Sequence, residues 1–323
     1  MKVLADRHHG GLYRSLQLLF DRLGAELYTP AGHAWWDQGY WRFGEVYGDD
    51  RLAGQYLMNW PDRAFDAEFP EHPARGVTLD EARSMSWDVV LATVQENEPG
   101  FARFASEVGA RYAVHVGNTR QPVRWDLSPL ILNATAEVAV DAGANIGEEF
   151  DSDGIFAFRR IRSHRRVGSF VNSMPLLPCW SYLDDARRIG TDFEFGVHGI
   201  AGPDGNIKPI ELIAEMMAGY GWAWHDKVTG DGYGHVVHYW AALGRPLIGH
   251  ASHYAGQKAA PLWEDGVTCI DLDRHPVAEA VQMMRDLDPA PMGEAIRARF
   301  DAMTDWQRDA DAVGRLLGIG VPA

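Results

Sequence analysis

The apolar positions fall into two rhythms that take turns along the chain. "KVLADR" (2–7) is a short apolar run, and "HHGG" (8–11) punctuates it. "LYRSLQLLFDRLG" (12–24) then places Leu12, Leu16, Leu19, Phe20 and Leu23 on one helical face, with Gly24 as the stop. A second run, "AELYTP" (25–30), follows at once. Strand, helix and strand in so little chain predict a parallel, Rossmann-like sheet, because parallel neighbours need a crossover and a helix usually supplies it. The rhythm returns with strands expected at 87–94, 110–118 and 129–135 and a helix over 98–109, with Pro99 near its start. Between these, 31–86 is rich in Trp and Tyr and has no sustained period. It reads either as an irregular insertion over the core or as aromatic loops at the ligand edge, able to stack on a sugar or base.

A second α/β set follows "DAGANIGEEFDSDG" (141–154), whose acidic, glycine-punctuated composition marks a domain boundary. Strands are expected at 165–174, 192–199, 222–227, 245–249 and 267–273. Helices are expected at 180–190, 207–221, within 229–244 and at 254–266, and from 288 to the end. The organisation predicted is therefore 1–150, 151–287 and a helical tail, 288–323.

Charge and cysteine content narrow the class. The formal net charge of −15 argues against general affinity for nucleic acid or anionic membrane, although it leaves room for a local basic groove. No apolar run approaches the ~18 residues of a membrane helix. The start places charge and glycine where a signal peptide needs its apolar core, so a cytoplasmic protein is expected. Cys179 and Cys269 are far apart and form no zinc-type spacing, and they read as reduced thiols.

The chemistry concentrates in "TGDGYGHVVHYWAALGRPLIG" (229–249). A helix that begins after a glycine-rich turn exposes its first amides and its positive dipole end, and glycine lets an anion approach that backbone. The turn suits a phosphate or diphosphate; Asp231 alone reads equally as an N-cap. A second strand–turn–helix, "VHGIAGPDGNIKPIELIAEMM" (197–217), precedes it. Together with "ALGRPLI" (242–248), this order resembles the donor-binding domain of GT-B glycosyltransferases, in which an "EGFG" turn opens the helix beneath the diphosphate. The beginning "HHGGLYRSLQLLF…AELYTP" is similar to glycosyltransferase-like proteins of tailed phages, some of which glycosylate hydroxymethylated DNA bases.

The resemblance implies an α/β protein of GT-B type: two Rossmann-like domains facing a central cleft, with C-terminal helices crossing back. Residues 1–150 would hold the acceptor and 151–287 the nucleotide sugar, a co-substrate expected to be UDP-linked and most simply UDP-glucose, with no further cofactor. The diphosphate cradle would be Asp231, Gly232, Tyr233, Gly234 and His235, opposed by Gly10 and Gly11. Ser169 and Asn172 stand as neutral residues where an Arg…Lys pair is usual, and Tyr239 stands where the donor ribose is often gripped by Glu. His9 is the preferred base if transfer inverts, with His115 as the second catalytic candidate; if it retains, the histidines bind sugar or orient the diphosphate. His8, Glu96, Asn97, Arg124 and Arg162 would bind the acceptor. The last belongs to "FRRIRSHRRVG", which reads as a groove for double-stranded DNA carrying 5-hydroxymethylcytosine or as a solvated, charge-blunted strand edge.

Three other readings are weaker. "DSD" (151–153) and "DLD" (271–273) match a metal-holding DxD, a short pattern in a chain with 45 acids. His235/His238 and His250/His253 have HxxH spacing without an evident third ligand, so no metal is expected. No GxGxxG follows the first strand, which disfavours nicotinamide chemistry. The non-enzyme reading is a two-domain sugar- or nucleotide-binding protein, and it predicts binding without donor turnover.

Overall fold

Val3, Leu4 and Ala5 are wholly buried, as are Val89, Val90, Leu91 and Ala92, the burial expected of short unbroken apolar runs in a parallel sheet covered on both faces. The computed structural model describes residues 1–7, 9–31, 41, 69–117, 123–135, 144–147, 155–228 and 231–319. They divide into two units, Met1–Phe150 with Trp306–Ala323, and Asp151–Asp305.

The first unit carries β1 (Lys2–Ala5), β2 (Glu26–Pro30), β3 (Gly76–Val77), β4 (Val89–Ala92), β5 (Arg111–Val116), β6 (Leu130–Asn133) and β7 (Ala144–Asn145). All pair in parallel, in the order β3-β2-β1-β4-β5-β6-β7. Helices α1 (Gly10–Arg22), α2 (Leu79–Ser84) and α3 (Glu98–Val108) join them. Helix α1 starts two residues before the expected point, since the His9 ring caps it: Nδ1 accepts the Leu12 N–H at 3.3 Å. Thr78 and Glu81 form a capping box that starts the short α2. The closing helix, Trp306–Leu316, packs on β7 and α1. Its buried Asp309 accepts the Gly147 N–H at 2.6 Å, and Arg22 lies 5.8 Å over the Trp306 ring.

The second unit carries β8 (Arg166–Ser169), β9 (Glu194–Val197), β10 (Trp222–Trp224), β11 (Leu247–Gly249) and β12 (Cys269–Asp271), all parallel, in the order β12-β11-β10-β8-β9. Its helices are α4 (Trp180–Ile189), α5 (Ile210–Ala218), α6 (His235–Ala242), α7 (Val277–Asp286) and α8 (Pro289–Met303). Trp222, Trp224 and Trp240 are fully buried. Gly168 on β8 is required by packing, because a Cβ there would meet the Tyr220 ring at 2.6 Å. Arg245, in the "GRP" corner, is also buried and serves structure. Its guanidinium donates to the carbonyls of Arg159 (2.6 Å), Leu243 (2.5 Å) and Ala218 (2.8 Å). Burial, and then the charge of Arg159, push its pKa down to about 10, and it stays protonated at neutral pH.

One expected helix does not form. Residues 254–266 give 3-10 turns at Ala251–Tyr254 and Ala260–Leu262, because Gly256 sits at φ +77° and Pro261 cannot donate the N–H an α-helix needs. Helix α7 falls where no element was expected. Thr304 and Asp305 break the tail, so that α8 belongs to the second unit and the closing helix to the first.

Candidate functional site

In an open parallel sheet, ligands bind beyond the carboxyl ends of the strands, where the strand order reverses. In the second unit that point lies between β8 and β10. Ser169, the last residue of β8, is buried there and its hydroxyl has no hydrogen-bond partner among the described residues. After β10 come His225, Asp226 and Lys227, and after them the turn that opens α6.

Gly234 is the N-cap residue of α6, at φ +84° and ψ 59°, and being glycine it brings no capping side chain of its own. A helix start of this kind leaves its first-turn amides without a capping side chain from the N-cap position, the arrangement an anion site uses. Asp231 is not the cap. Its carboxylate takes a 2.7 Å contact from His225 Nε2 and an ion pair from Lys227, while its backbone N–H donates to Gln257 Oε1 at 3.2 Å. Burial alone would raise the Asp231 pKa. The hydrogen bond and charge of His225, with the charge of Lys227, hold it well below the usual carboxylate range. Tyr233 is buried, its ring stacked on His238 at 4.0 Å, and the Tyr239 ring stacks on Phe156 at 4.0 Å. Tyr233 is thus packing. His235, by contrast, opens the helix and is partly exposed. Asn172 is exposed, and its Oδ1 accepts the Ile200 N–H at 3.3 Å.

The first unit has its own reversal point, between β1 and β4, and Asp6 fills it. This buried carboxylate accepts the Thr93 N–H at 3.1 Å, the Thr93 hydroxyl, and the Asn97 amide at 2.6 Å. Asn97, expected to bind acceptor, is therefore committed inside the protein. Gly10 and Gly11 are buried in the first turn of α1. His9 Nδ1 accepts the Leu12 N–H at 3.3 Å and so caps α1. His115 lies within β5, wholly buried, opposite Leu132. Glu96 is exposed, and Arg124 pairs with Asp126 at 2.7 Å. His8, the segments 32–40 and 42–68, Arg120 and the "DSD" acids lie outside the described residues.

The arginine run forms a segment without strand pairing until β8. Arg162 is exposed, but Arg165 is paired with Asp192 (2.8 Å) and Arg166 with Glu194 (2.7 Å). Sequence reasoning overlooked His225 and Lys227, whose signal was two basic residues directly after a strand. It overlooked Glu98 too, a fully buried carboxyl at the start of α3 whose pKa desolvation raises to about 7 against the pull of Arg124. No described helix is long and apolar enough to cross a membrane.

These two sheets and their order define the GT-B fold, and comparison with solved structures agrees. Anabaena HepE, solved with UDP-glucose, superposes with a TM-score of 0.67 at 12% identity, over 98% of this chain and 99% of that one. A glycosyltransferase from Rickettsia africae gives 0.61 at 9% identity, covering 98% and 97%. Sucrose-phosphate synthase from Thermosynechococcus elongatus gives 0.59 at 12% identity over the same shares. No family model and no curated protein matches the chain.

Proposed function

We propose that this protein is a glycosyltransferase that takes a hexose from a uridine diphosphate donor and delivers it to a hydroxyl group. The observation that carries this reading is the glycine turn, with Gly234 at positive φ, that opens α6 beside the strand reversal of the second unit. In transfer the bond between the anomeric carbon and the diphosphate oxygen breaks, the acceptor oxygen bonds that carbon, and the acceptor proton passes to an oxygen of the departing diphosphate or to solvent. Negative charge grows on the departing diphosphate, so the site needs preorganised positive potential there. The amides of Gly232 to His235 and the dipole of α6 supply part of it. Lys227, ion-paired with Asp231, adds a cation beside the turn whose field that pair reduces, where an Arg…Lys pair is usual. That HepE is solved with UDP and with UDP-glucose favours the uridine donor.

The acceptor is a small molecule or glycan hydroxyl in this reading; the pairing of Arg165 and Arg166 leaves the DNA alternative without a supporting observation. Calorimetric titration with UDP and UDP-glucose tests the donor half. Micromolar binding is expected, weakened about tenfold or more by Lys227→Ala, as loss of a charge-assisted contact implies. Mass spectrometry with a panel of nucleotide sugars and acceptors then reads turnover. No affinity for UDP or any nucleotide sugar would overturn the assignment; binding without turnover would leave a nucleotide-binding protein.

A further inference from the structure

Strands β10 and β11 run side by side, Trp224 paired with Ile248, so whatever follows each of them meets at the sheet edge. Asp226 follows β10, His250 follows β11, and His253 comes within the 3-10 turn Ala251–Tyr254. The Asp226 carboxylate is fully buried. His250 Nδ1 lies 2.9 Å from Asp226 Oδ2, and His253 Nδ1 lies 3.0 Å from Oδ1. The two rings are tilted by 31° with centroids 4.8 Å apart, and one donor atom from each of the three residues falls within 4.8 Å of the others.

We propose that Asp226, His250 and His253 form a site for one divalent transition cation of the zinc class. Ligand atoms bonded at about 2.0–2.1 Å to a shared ion stand roughly 2.9–3.4 Å apart at octahedral or tetrahedral angles, which is the spacing of the carboxylate to each imidazole. Two imidazoles and a single carboxylate suit zinc, cobalt or nickel; magnesium and calcium call for more oxygen. Neighbouring contacts hold Asp226 and the His250 ring in place. The Cys179 thiol donates to the Asp226 carbonyl at 3.0 Å, the His250 N–H reaches Asp226 Oδ1 at 3.3 Å, and the Tyr182 ring stands edge-on to His250 at 4.7 Å. The His250 and His253 side chains keep 12% and 19% of their surface exposed, so the ion has an open side for water or an anionic oxygen. The HxxH pair showed no third ligand in the sequence because Asp226 precedes it by 24 residues and arrives only through strand pairing.

This site stands independently of sugar transfer, and its test reads metal alone. The full chain, stripped with chelator and dialysed, is titrated with Co²⁺ while the visible d–d bands are followed. One equivalent should bind with intensified bands and be displaced by one equivalent of Zn²⁺. The double variant His250→Ala, His253→Ala should lose more affinity than the roughly 100-fold that an outer-shell change costs. His164→Ala, an exposed histidine 3.5 Å from Asp288, should bind as the unaltered chain does. If the double variant fails to fold, His253→Gln, at a partly exposed side chain, provides the same comparison. Wild-type affinity no tighter than that of the variants would mean that Asp226 merely accepts hydrogen bonds from two rings, and would overturn the site.

Discussion

Glu98 begins α3 with its carboxyl out of contact with solvent, and that placement links a side chain to the stability of the first unit. Desolvation raises its pKa from 4.5 to about 7, with the charges of Asp126 and Asp6 adding to the shift and Arg124 opposing it. The sign follows from which state ionises first. Below pH 4.5 both folded and unfolded chains hold the proton, and this group costs nothing. Between pH 4.5 and about 7 the unfolded chain releases its proton while the folded one keeps it, so stability falls as pH rises. Above that range both are ionised and the loss is complete, on the order of 3 kcal/mol. Glu98→Gln should remove this slope: urea midpoints measured from pH 5 to pH 8 should fall less steeply than those of the unaltered chain. Parallel curves would show that the carboxyl is ionised and compensated throughout.

At the scale of elements, the turn before α6 is where backbone conformation and the proposed donor site meet. Gly234 lies in the left-handed region, where a side chain costs about 1–2 kcal/mol, and a Cβ would also come 3.2 Å from that of Asp231. Gly234→Ala should therefore lower stability by that amount and weaken UDP binding more than a remote change of equal cost. A melt and a titration on the same variant decide it; intact UDP affinity despite the lowered melt would take the turn out of the donor site. Here the sequence was informative: a glycine-rich turn marked a helix start, and α6 begins there, with Gly234 as its N-cap. Strands β1, β4, β5 and β6 were equally legible, being short aliphatic runs buried on both faces. The stretch after β11 was not: its apolar spacing looked helical, but Gly256 and Pro261 turned it into two 3-10 turns. Illegible too were contacts made only by strand order. Asp6 with Thr93 and Asn97, Asp226 with His250 and His253, and His225 with Asp231 join residues whose types are ordinary and whose proximity is created by the sheet or the turn beyond it. Likewise His9 and Asn97 were read as chemistry from their positions at strand ends, while the fold uses one as a helix cap and the other to satisfy a buried carboxylate.

For the molecule as a whole, charge decides which acceptors can approach. A net charge of −15 repels a polyanion unless a local groove compensates. The candidate groove is reduced by its own ion pairs: Arg165 and Arg166 face Asp192 and Glu194 and so present little net potential. A protein that neutralises several DNA phosphates loses about 10³–10⁵ in affinity between 50 and 200 mM salt. A small hydroxyl acceptor displaces no condensed counterions, so transfer to it should change by no more than about threefold over that range. Measuring kcat/KM for the best acceptor at four salt concentrations separates the two, provided UDP affinity is followed in parallel so that screening at the diphosphate is subtracted. A flat acceptor profile is expected. A steep logarithmic fall that persists after that correction, and that Arg162→Ala and Arg160→Ala flatten, would return the arginine run to use as a phosphate groove. Nucleic acid would then be the acceptor, held by the residues that the ion pairs at the edge of β8 leave exposed.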